Sequence, residues 1–469
     1  MRRRIRVVEI AEVFEAIRRR SDLPDPFPPD VLGEAERARP VGGSREDLRD
    51  IPFVTIDPPD ALDLDQAIHL EPRAGGGIRL RYAIADVPAF VTPGGALDSE
   101  ARRRGTTVYC PDRRIPLHPP VLSEGRASLL PGEDRAAVVF DVDLDSTGDV
   151  ERFDLVRATI RVRERFDYAT VQSAFDAGDP PEPISLLRRF GETRIARGIE
   201  RGALSVRLPE QEVVRVGDRW TIVSRPELPA ERWNAEASLL AGMIGAEIML
   251  DAGTGILRTL PPATEDATST LRAVAARLGV DGADAVTPAE LLSGLDPALP
   301  RHLAVFEAAT RLLRESGYVG FAGGSPAGDV QHAGVAAPYA HVTAPLRRLA
   351  DRFALAACVA AASGRPVPDW VTEAVEEIAA TMEKTEGRAG QVEAQCLNAT
   401  EAWVMGERIG DRFLAVVLAR DDKATEIWID DPPVLARAAG IEAEPGEVIE
   451  VEVEAIEVDS GNIRFSRTD

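Results

Sequence analysis

The stretch Ile51-Pro-Phe-Val-Thr-Ile-Asp57-Pro-Pro-Asp60-Ala-Leu-Asp63-Leu-Asp65-Gln66-Ala67 places five acidic or amide-bearing side chains within ten residues, directly behind an apolar run. Phe53-Val-Thr-Ile56 is aromatic and β-branched, so it predicts a strand that delivers Asp57 at its end. Pro58-Pro59 then bars both a helix and further ladder hydrogen bonds, which forces a bend where the acids begin. Fully extended, Asp57 to Asp65 would span roughly 26 Å at about 3.3 Å per residue, too far to share an ion, so the bend is what brings them together. Asp63 and Asp65, two apart, face the same way where the chain is extended. Carboxylate oxygens converging from a loop and a strand suit Mg²⁺, and such an ion can polarise a phosphodiester and activate a water. A solvated acidic turn is the other reading, because acids are common throughout a chain of net charge −23. Spacing alone leaves both open.

The chain has 469 residues and 44% hydrophobic content, enough to bury a large core in two or three domains. Its start, Met1-Arg-Arg-Arg-Ile-Arg, mimics the basic end of a signal peptide, but Glu9, Glu12 and Glu15 interrupt any apolar segment, and no run reaches a membrane span. Cys110, Cys358 and Cys396 lie far apart, so neither a disulfide framework nor a structural zinc site is indicated, and the expected location is cytoplasmic. The acidic balance argues against an open, sequence-independent nucleic-acid binder, though not against a buried channel. Local clusters stand out instead: Arg102-Arg-Arg104 with Arg113-Arg114, and Arg347-Arg348. Asp141, Asp143 and Asp145 alternate with Phe140, Val142 and Leu144, so they read as the wet face of a half-buried strand with no chemistry. His69, His118, His302, His332 and His341 show no metal-ligand spacing.

Periodicity divides the chain. Val7, Ile10, Val13, Phe14 and Ile17 predict a helix over 6–20, and Asp30 to Arg39 a second, so residues 1–46 form a helical arm. The pair could be a helix-turn-helix, but its shortness favours packing on the neighbouring domain. From 47 to about 165 the pattern is β-rich, with hairpins around Arg73-Ala-Gly-Gly-Gly77 and Ser146-Thr-Gly148. Helical periodicity follows over Arg232 to Leu250, Ser269 to Leu278, Pro300 to Glu315, Ala344 to Ala362 and Trp370 to Gly406, which makes 47–408 an α+β domain. Residues 409–469 return to short strands, Arg412 to Leu418, Glu426 to Ile429, Val448 to Glu457 and Asn462 to Ser466, spaced as in a small oligonucleotide-binding (OB) barrel.

Further stretches follow the acids in order: Ala83-Ile-Ala-Asp86-Val, Leu97-Asp-Ser-Glu-Ala101, Arg104-Gly-Thr-Thr-Val-Tyr109-Cys-Pro-Asp112, Ile115-Pro-Leu-His-Pro119, Ser128-Leu-Leu-Pro-Gly132 and Tyr339-Ala-His341-Val-Thr343-Ala-Pro345-Leu-Arg347-Arg348-Leu-Ala-Asp351. This series resembles the RNB catalytic domain of the ribonuclease II and ribonuclease R family of 3′-to-5′ exoribonucleases, from about Phe27 to Ala362. The final barrel is similar to that family's S1 domain. The resemblance implies that Asp57, Asp63 and Asp65 bind Mg²⁺, for which Mn²⁺ can substitute, beside the scissile phosphate. Gln66 stands where relatives usually show a second aspartate, so it implies a carbonyl oxygen in place of a carboxylate and a more weakly held ion. Asp60 lies in the same loop and either compensates in part or, better, forms an Asx turn.

The same resemblance makes Arg347, with Asp65, catalytic, and assigns Tyr109, Glu236 and Arg348 to RNA. Tyr109 would stack on a base near the 3′ end, and Glu236 would hold the terminal nucleotide through its 2′-OH. Arg348 is better suited to a structural role, and Val206 falls where relatives carry an aromatic clamp. A Mg²⁺-dependent enzyme that degrades single-stranded RNA from its 3′ end to 5′-mononucleotides, acting as a monomer, is therefore expected. Relatives usually carry two cold-shock barrels where this chain has its helical arm, which implies a more open entrance for structured RNA. The alternative is a catalytically weakened relative that binds RNA or a partner. A phosphotransferase is disfavoured because the chain has no GxxxxGK[ST] loop.

Overall fold

The apolar run ahead of the acids forms the strand Val54–Ile56, all three residues buried, and it stops at Asp57 because Pro58 has no N–H for the next ladder bond. The computed structural model describes residues 9–280, 282–283 and 286–468. Val54–Ile56 lies near one edge of a seven-stranded sheet ordered Glu46–Asp47, Val150–Arg161, Asp134–Leu144, Ile78–Ala85, Gln66–Pro72, Val54–Ile56, Glu164–Phe166. Both expected hairpins are present, with Gln66 opposite Ile84 and Pro72 opposite Ile78 in the first. Strand alternation sends Leu80, Tyr82 and Ile84 into one core with Phe140 and Val142, while Ala83, Ala85 and Val139 join a second core on the opposite face. The sheet is thus covered on both sides.

The acids on the second hairpin are not a wet face. Asp141 takes the Arg79 fork, with Nε–Oδ1 2.6 Å and Nη2–Oδ2 2.5 Å, and Asp143 is only 8% exposed, with Arg73 3.2 Å and Arg152 3.4 Å away. Cross-strand ion pairs close that face, which a period-two pattern cannot distinguish from solvent. Asp145 instead accepts from the N–H groups of Thr147 and Asp149 in the turn.

The helical half is built on Pro229–Ala252, Glu265–Arg277, Pro300–Ala309, Leu349–Ala362 and Val375–Gly406. Two expectations are corrected here. The helix predicted over Ala344 to Ala362 begins only at Leu349, because backbone groups from Thr343 to Leu346 bond to distant side chains instead of to a helical turn. The helix predicted to reach Glu315 ends at Ala309, and Gly317–Ala322 forms a strand antiparallel to Thr254–Thr259. The C-terminal barrel has five strands, ordered Pro433–Ala438, Thr425–Asp430, Arg412–Arg420, Val448–Glu457, Asn462–Arg467. The unforeseen strand, Pro433–Ala438, is an edge strand, where a leading proline is tolerated. In the arm, the helices are Ile10–Arg20 and Pro29–Arg37, and Val7 lies outside the described residues. Ile10, Val13, Phe14 and Ile17 bury against Ala389, Val392, Cys396 and Ala399 of the long helix, with Phe14 edge-on to Trp220 at 5.7 Å. The arm packs, as its length suggested.

One close approach positions the site. A Cβ on Gly242 would come within 2.1 Å of the Tyr339 ring and 2.7 Å of the Ala340 carbonyl oxygen, and the Ala340 N–H donates to the Gly242 carbonyl at 3.1 Å. Only glycine lets the segment that ends in Arg347 lie against this helix. Gly242→Ala is expected to lower stability by about 1–3 kcal/mol through overpacking, read as a lower Tm, and to reduce any turnover by displacing the loop.

Candidate active site

The acid loop is held from three sides. Arg165, on the parallel neighbour strand, donates to the carbonyls of Pro58 and Pro59 at 2.7 and 2.5 Å. Ser128 accepts from the Leu64 N–H at 3.0 Å and donates to the Leu62 carbonyl at 2.7 Å, which gives the Ser128-Leu-Leu-Pro-Gly132 motif a physical use. Leu64 is fully buried. The bend itself closes through the Ala61 N–H to the Pro58 carbonyl, 3.0 Å; Asp60 is exposed and makes no side-chain hydrogen bond among the described residues, so the Asx turn is not formed.

Opposite lies the segment Tyr339 to Arg348. The Leu346 N–H donates to Asp65 Oδ1 at 2.8 Å, and Arg347 Nε lies 3.4 Å from Asp65 Oδ2. The Arg347 carbonyl accepts from the Thr107 N–H at 2.9 Å and the Thr106 hydroxyl at 3.1 Å. Asp351, fully buried, accepts from the Ala344 N–H at 2.6 Å and takes the Arg348 fork at 3.0 and 2.9 Å. Arg348 therefore anchors the loop, the structural role, rather than reaching toward RNA. Arg347 is 44% exposed at its side chain, and its Nη atoms have no hydrogen-bond partner among the described residues.

Burial sets the electrostatics of the acids. It pushes the Asp65 carboxyl up to about 8, against the lowering effect of Arg347 and the Leu346 N–H, and the Asp57 carboxyl up to about 6, against Arg165 and Arg347. Asp63 raises both while its own Oδ1 accepts from Arg114 at 2.7 Å. Among the described residues no group of three or more His, Cys, Asp or Glu side chains is placed to hold a metal ion, so the expected trio of Asp57, Asp63 and Asp65 is not gathered as ligands. Asp63 is engaged instead in an ion pair with Arg114. The buried Asp57 Oδ2 has no hydrogen-bond partner, which is the mark of an oxygen waiting for a cation. Asp57 with Asp65 therefore fits Mg²⁺, which uses one or two carboxylates with waters and substrate phosphate. Gln66, expected to offer its carbonyl oxygen, has that oxygen bonded to the Tyr82 hydroxyl at 2.9 Å and its Nε2 on the Thr343 carbonyl at 2.6 Å.

Tyr109, 41% exposed, faces Arg347, Asp63 and Asp65, and burial of its hydroxyl pushes its pKa up to about 12. The arginines flanking it in sequence do not bracket it with free charge. Arg102, Arg103 and Arg104 pair with Asp98 and Glu100, and Arg113 and Arg114 with Asp25, Asp63 and Glu124. Glu236 lies apart from the acids, on a cavity of about 210 Å³ that Arg201, Arg207 and Arg232 also line. Desolvation raises it to about 7 despite Arg194, Arg201 and Arg232. Val206 packs with the apolar cluster of Leu204 and Leu260. His341 is half-buried with Nδ1 2.7 Å from the Tyr318 hydroxyl, and desolvation holds it neutral. Sequence reasoning missed Tyr168, whose hydroxyl lies in the field of Asp57 and Arg347 and 3.4 Å from Asn234 Nδ2. Its only local signal is the N-cap Asp167 before it. Of the five tyrosines of the chain, Tyr82, Tyr109 and Tyr168 lie in the field of Asp57 or Asp65, and Tyr339 in that of Arg347.

Fold and site together define an RNB catalytic domain followed by an S1 barrel. The RNB domain matches residues 45–359, and the RNase II-type exonuclease C-terminal S1 domain matches residues 411–468. The chain belongs to the RNB-domain family. Over 322 residues it is 33% identical to ribonuclease R of Escherichia coli, covering 66% of this chain and 39% of that protein, and over 347 residues 30% identical to ribonuclease R of Vibrio cholerae, covering 70% and 41%. It thus spans about two fifths of these relatives. Among solved structures, Mycoplasma genitalium RNase R in complex with ribose-methylated single-stranded RNA superimposes with a TM-score of 0.88 at 19% identity, over 98% of this chain and 78% of that one. A yeast pseudonuclease shares the fold with a TM-score of 0.73 at 18% identity, over 92% and 56%. Among the described residues no helix is long and apolar enough to cross a membrane.

The raised pKa of Asp57 has a definite sign. The folded state binds that proton more tightly than the unfolded chain, so the contribution to stability is full below pH 3.8 and is lost as pH rises to about 6. Asp57→Asn is expected to remove this loss, so that in EDTA its Tm exceeds that of the wild type above pH 6 and the two converge at low pH. Melting curves at several pH values check this.

Proposed function

We propose that the protein is a 3′-to-5′ exoribonuclease that hydrolyses single-stranded RNA to 5′-mononucleotides with Mg²⁺, or Mn²⁺ in its place. The observation that carries this reading is the Asp65 clamp, which sets the half-exposed Arg347 guanidinium beside the unpartnered Asp57 oxygen. Asp57 and Asp65 would hold the ion, whose chemistry when bound is to polarise the phosphodiester and lower the pKa of a water. Arg347 faces the phosphate and neutralises charge that grows on its oxygens in the transition state. Asp65 keeps Arg347 and the Leu346 amide in register, so no reorganisation is needed as that charge develops. Tyr109 stacks on a base near the 3′ end, which tolerates any sequence. Glu236 holds the terminal ribose, and Tyr168 beside Asp57 lies where it can add a hydroxyl contact. The RNA enters by its 3′ end and the protein acts as a monomer in the cytoplasm.

A second reading, an RNA binder with weakened catalysis, is favoured by Gln66, whose neutral amide is bonded at both ends within the protein, and by Val206, which packs with the apolar cluster of Leu204 and Leu260. A 3′-labelled oligoribonucleotide incubated with Mg²⁺ or with EDTA separates the two: labelled mononucleotide is expected only with the metal, and tight binding without release would establish the second reading. Arg347→Ala is expected to lower the rate about 10²–10³-fold, as for other removed oxyanion-type donors. Asp65→Asn should abolish turnover and keep RNA binding, measured by fluorescence anisotropy.

A further inference from the structure

Gln66 is bonded in a way a carboxylate could not reproduce. Its Nε2 donates to the Thr343 carbonyl at 2.6 Å, and its Oε1 accepts from the Tyr82 hydroxyl at 2.9 Å. Tyr82 is nearly fully buried, and its oxygen lies 2.7 Å from Ser238 Oγ, on the helix Pro229–Ala252. The orientation of the amide follows from chemistry: the Thr343 carbonyl can only accept, so the amide nitrogen must face it. An aspartate or glutamate oxygen in that place would meet another acceptor. With Oε1 already accepting from Tyr82, the group is engaged as a crosspiece between the sheet, the long helix and the segment that carries Arg347.

The neighbour in sequence completes the device. Asp65 accepts from the Leu346 N–H at 2.8 Å, so residues 65 and 66 grip the same segment at two points, one accepting and one donating. Thr343 and Leu346 bracket the turn that ends in Arg347, whose own N–H returns to the Ala344 carbonyl at 3.2 Å. We infer that Gln66 is a positioning residue, which sets the Arg347 guanidinium against the acid loop by holding the Thr343 carbonyl. This role rests on the exoribonuclease reading and gives the amide a use other than weak metal ligation. The amide is a tie between the sheet and this segment. Tyr82 and Ser238 continue that tie to the helix on which Gly242 admits Tyr339.

The test uses the full chain with Gln66→Met, Gln66→Asp and Tyr82→Phe, each alone and combined with Arg347→Ala. Gln66→Met, close in size and unable to hydrogen bond, is expected to lower kcat about tenfold or more with KM for RNA little changed, since small displacements of a catalytic group cost up to about 10²-fold. Tyr82→Phe, which leaves the Thr343 bond in place, should have a smaller effect in the same direction. In the Arg347→Ala background the Gln66→Met loss should shrink to about twofold or less, because groups acting through one another are not additive. Gln66→Asp, although it supplies a carboxylate, should also fall below the wild type. In metal-free protein, peptides spanning residues 339–349 of Gln66→Met should exchange backbone hydrogens faster than in the wild type, while Mn²⁺ affinity read by electron paramagnetic resonance stays the same.

Two results would overturn the inference: Gln66→Asp equal to or faster than the wild type, or Gln66→Met weakening Mn²⁺ binding with unchanged hydrogen exchange. Full additivity of the Gln66→Met and Arg347→Ala losses would overturn it as well. A wild-type protein that releases no nucleotide would refute the exoribonuclease reading instead. The exchange comparison would still decide whether Gln66 holds the segment.

Discussion

The carboxylate of Asp65 joins two parts of the chain 281 residues apart, with one oxygen on the Leu346 N–H and the other facing Arg347. Only 4% of Asp65 is exposed, and burying a charge in such a place costs several kcal/mol unless it is bonded. The surrounding structure exists to make that burial tolerable. Ser128, Arg165 and the buried Leu64 fix the acid side, and Asp351, Thr106, Thr107 and Gly242 fix the arginine side. Hydrogen-bonding groups held in place before any substrate arrives are what make a site electrostatically ready.

Charge is managed locally rather than globally. The chain carries 78 acids against 55 basic residues, and the arginines that looked like an RNA-facing cluster around Tyr109 are closed on neighbouring carboxylates. Arg347 differs: its Nε lies 3.4 Å from Asp65, which is itself held by the Leu346 amide, and the outer edge of the guanidinium is open. The neutral Gln66 fits the same pattern, since a third unpaired carboxylate beside Asp57 and Asp65 would raise both further and weaken the clamp.

Much of the fold was legible. The strand before Asp57, the hairpins, the long helices and four of the five barrel strands follow from periodicity of two or 3.6 and from turn residues. What periodicity could not show was where a helix is refused. Ala344 to Arg348 has good helical composition, yet its amides bond to Asp351 and Asp65 and its preceding carbonyl to Gln66, so the helix waits until Leu349. The same blindness applies to Asp143, which looks wet in an alternating strand and is closed by Arg73 and Arg152.

The sequence by itself determined the elements, the order of the motifs and hence the family, because these depend on local propensity and on residue types that stay adjacent in the chain. It also identified Asp57, Asp65, Arg347 and Tyr109 as parts of one site. Which of these side chains already have partners was decided only by the tertiary structure: Arg114 holds Asp63, Asp57 keeps an oxygen without a partner, and Gln66 is bonded to Tyr82 and Thr343. Those outcomes rest on hydrogen-bond partners supplied from 16 to 277 positions away, and directional bonds of that kind leave no trace in spacing.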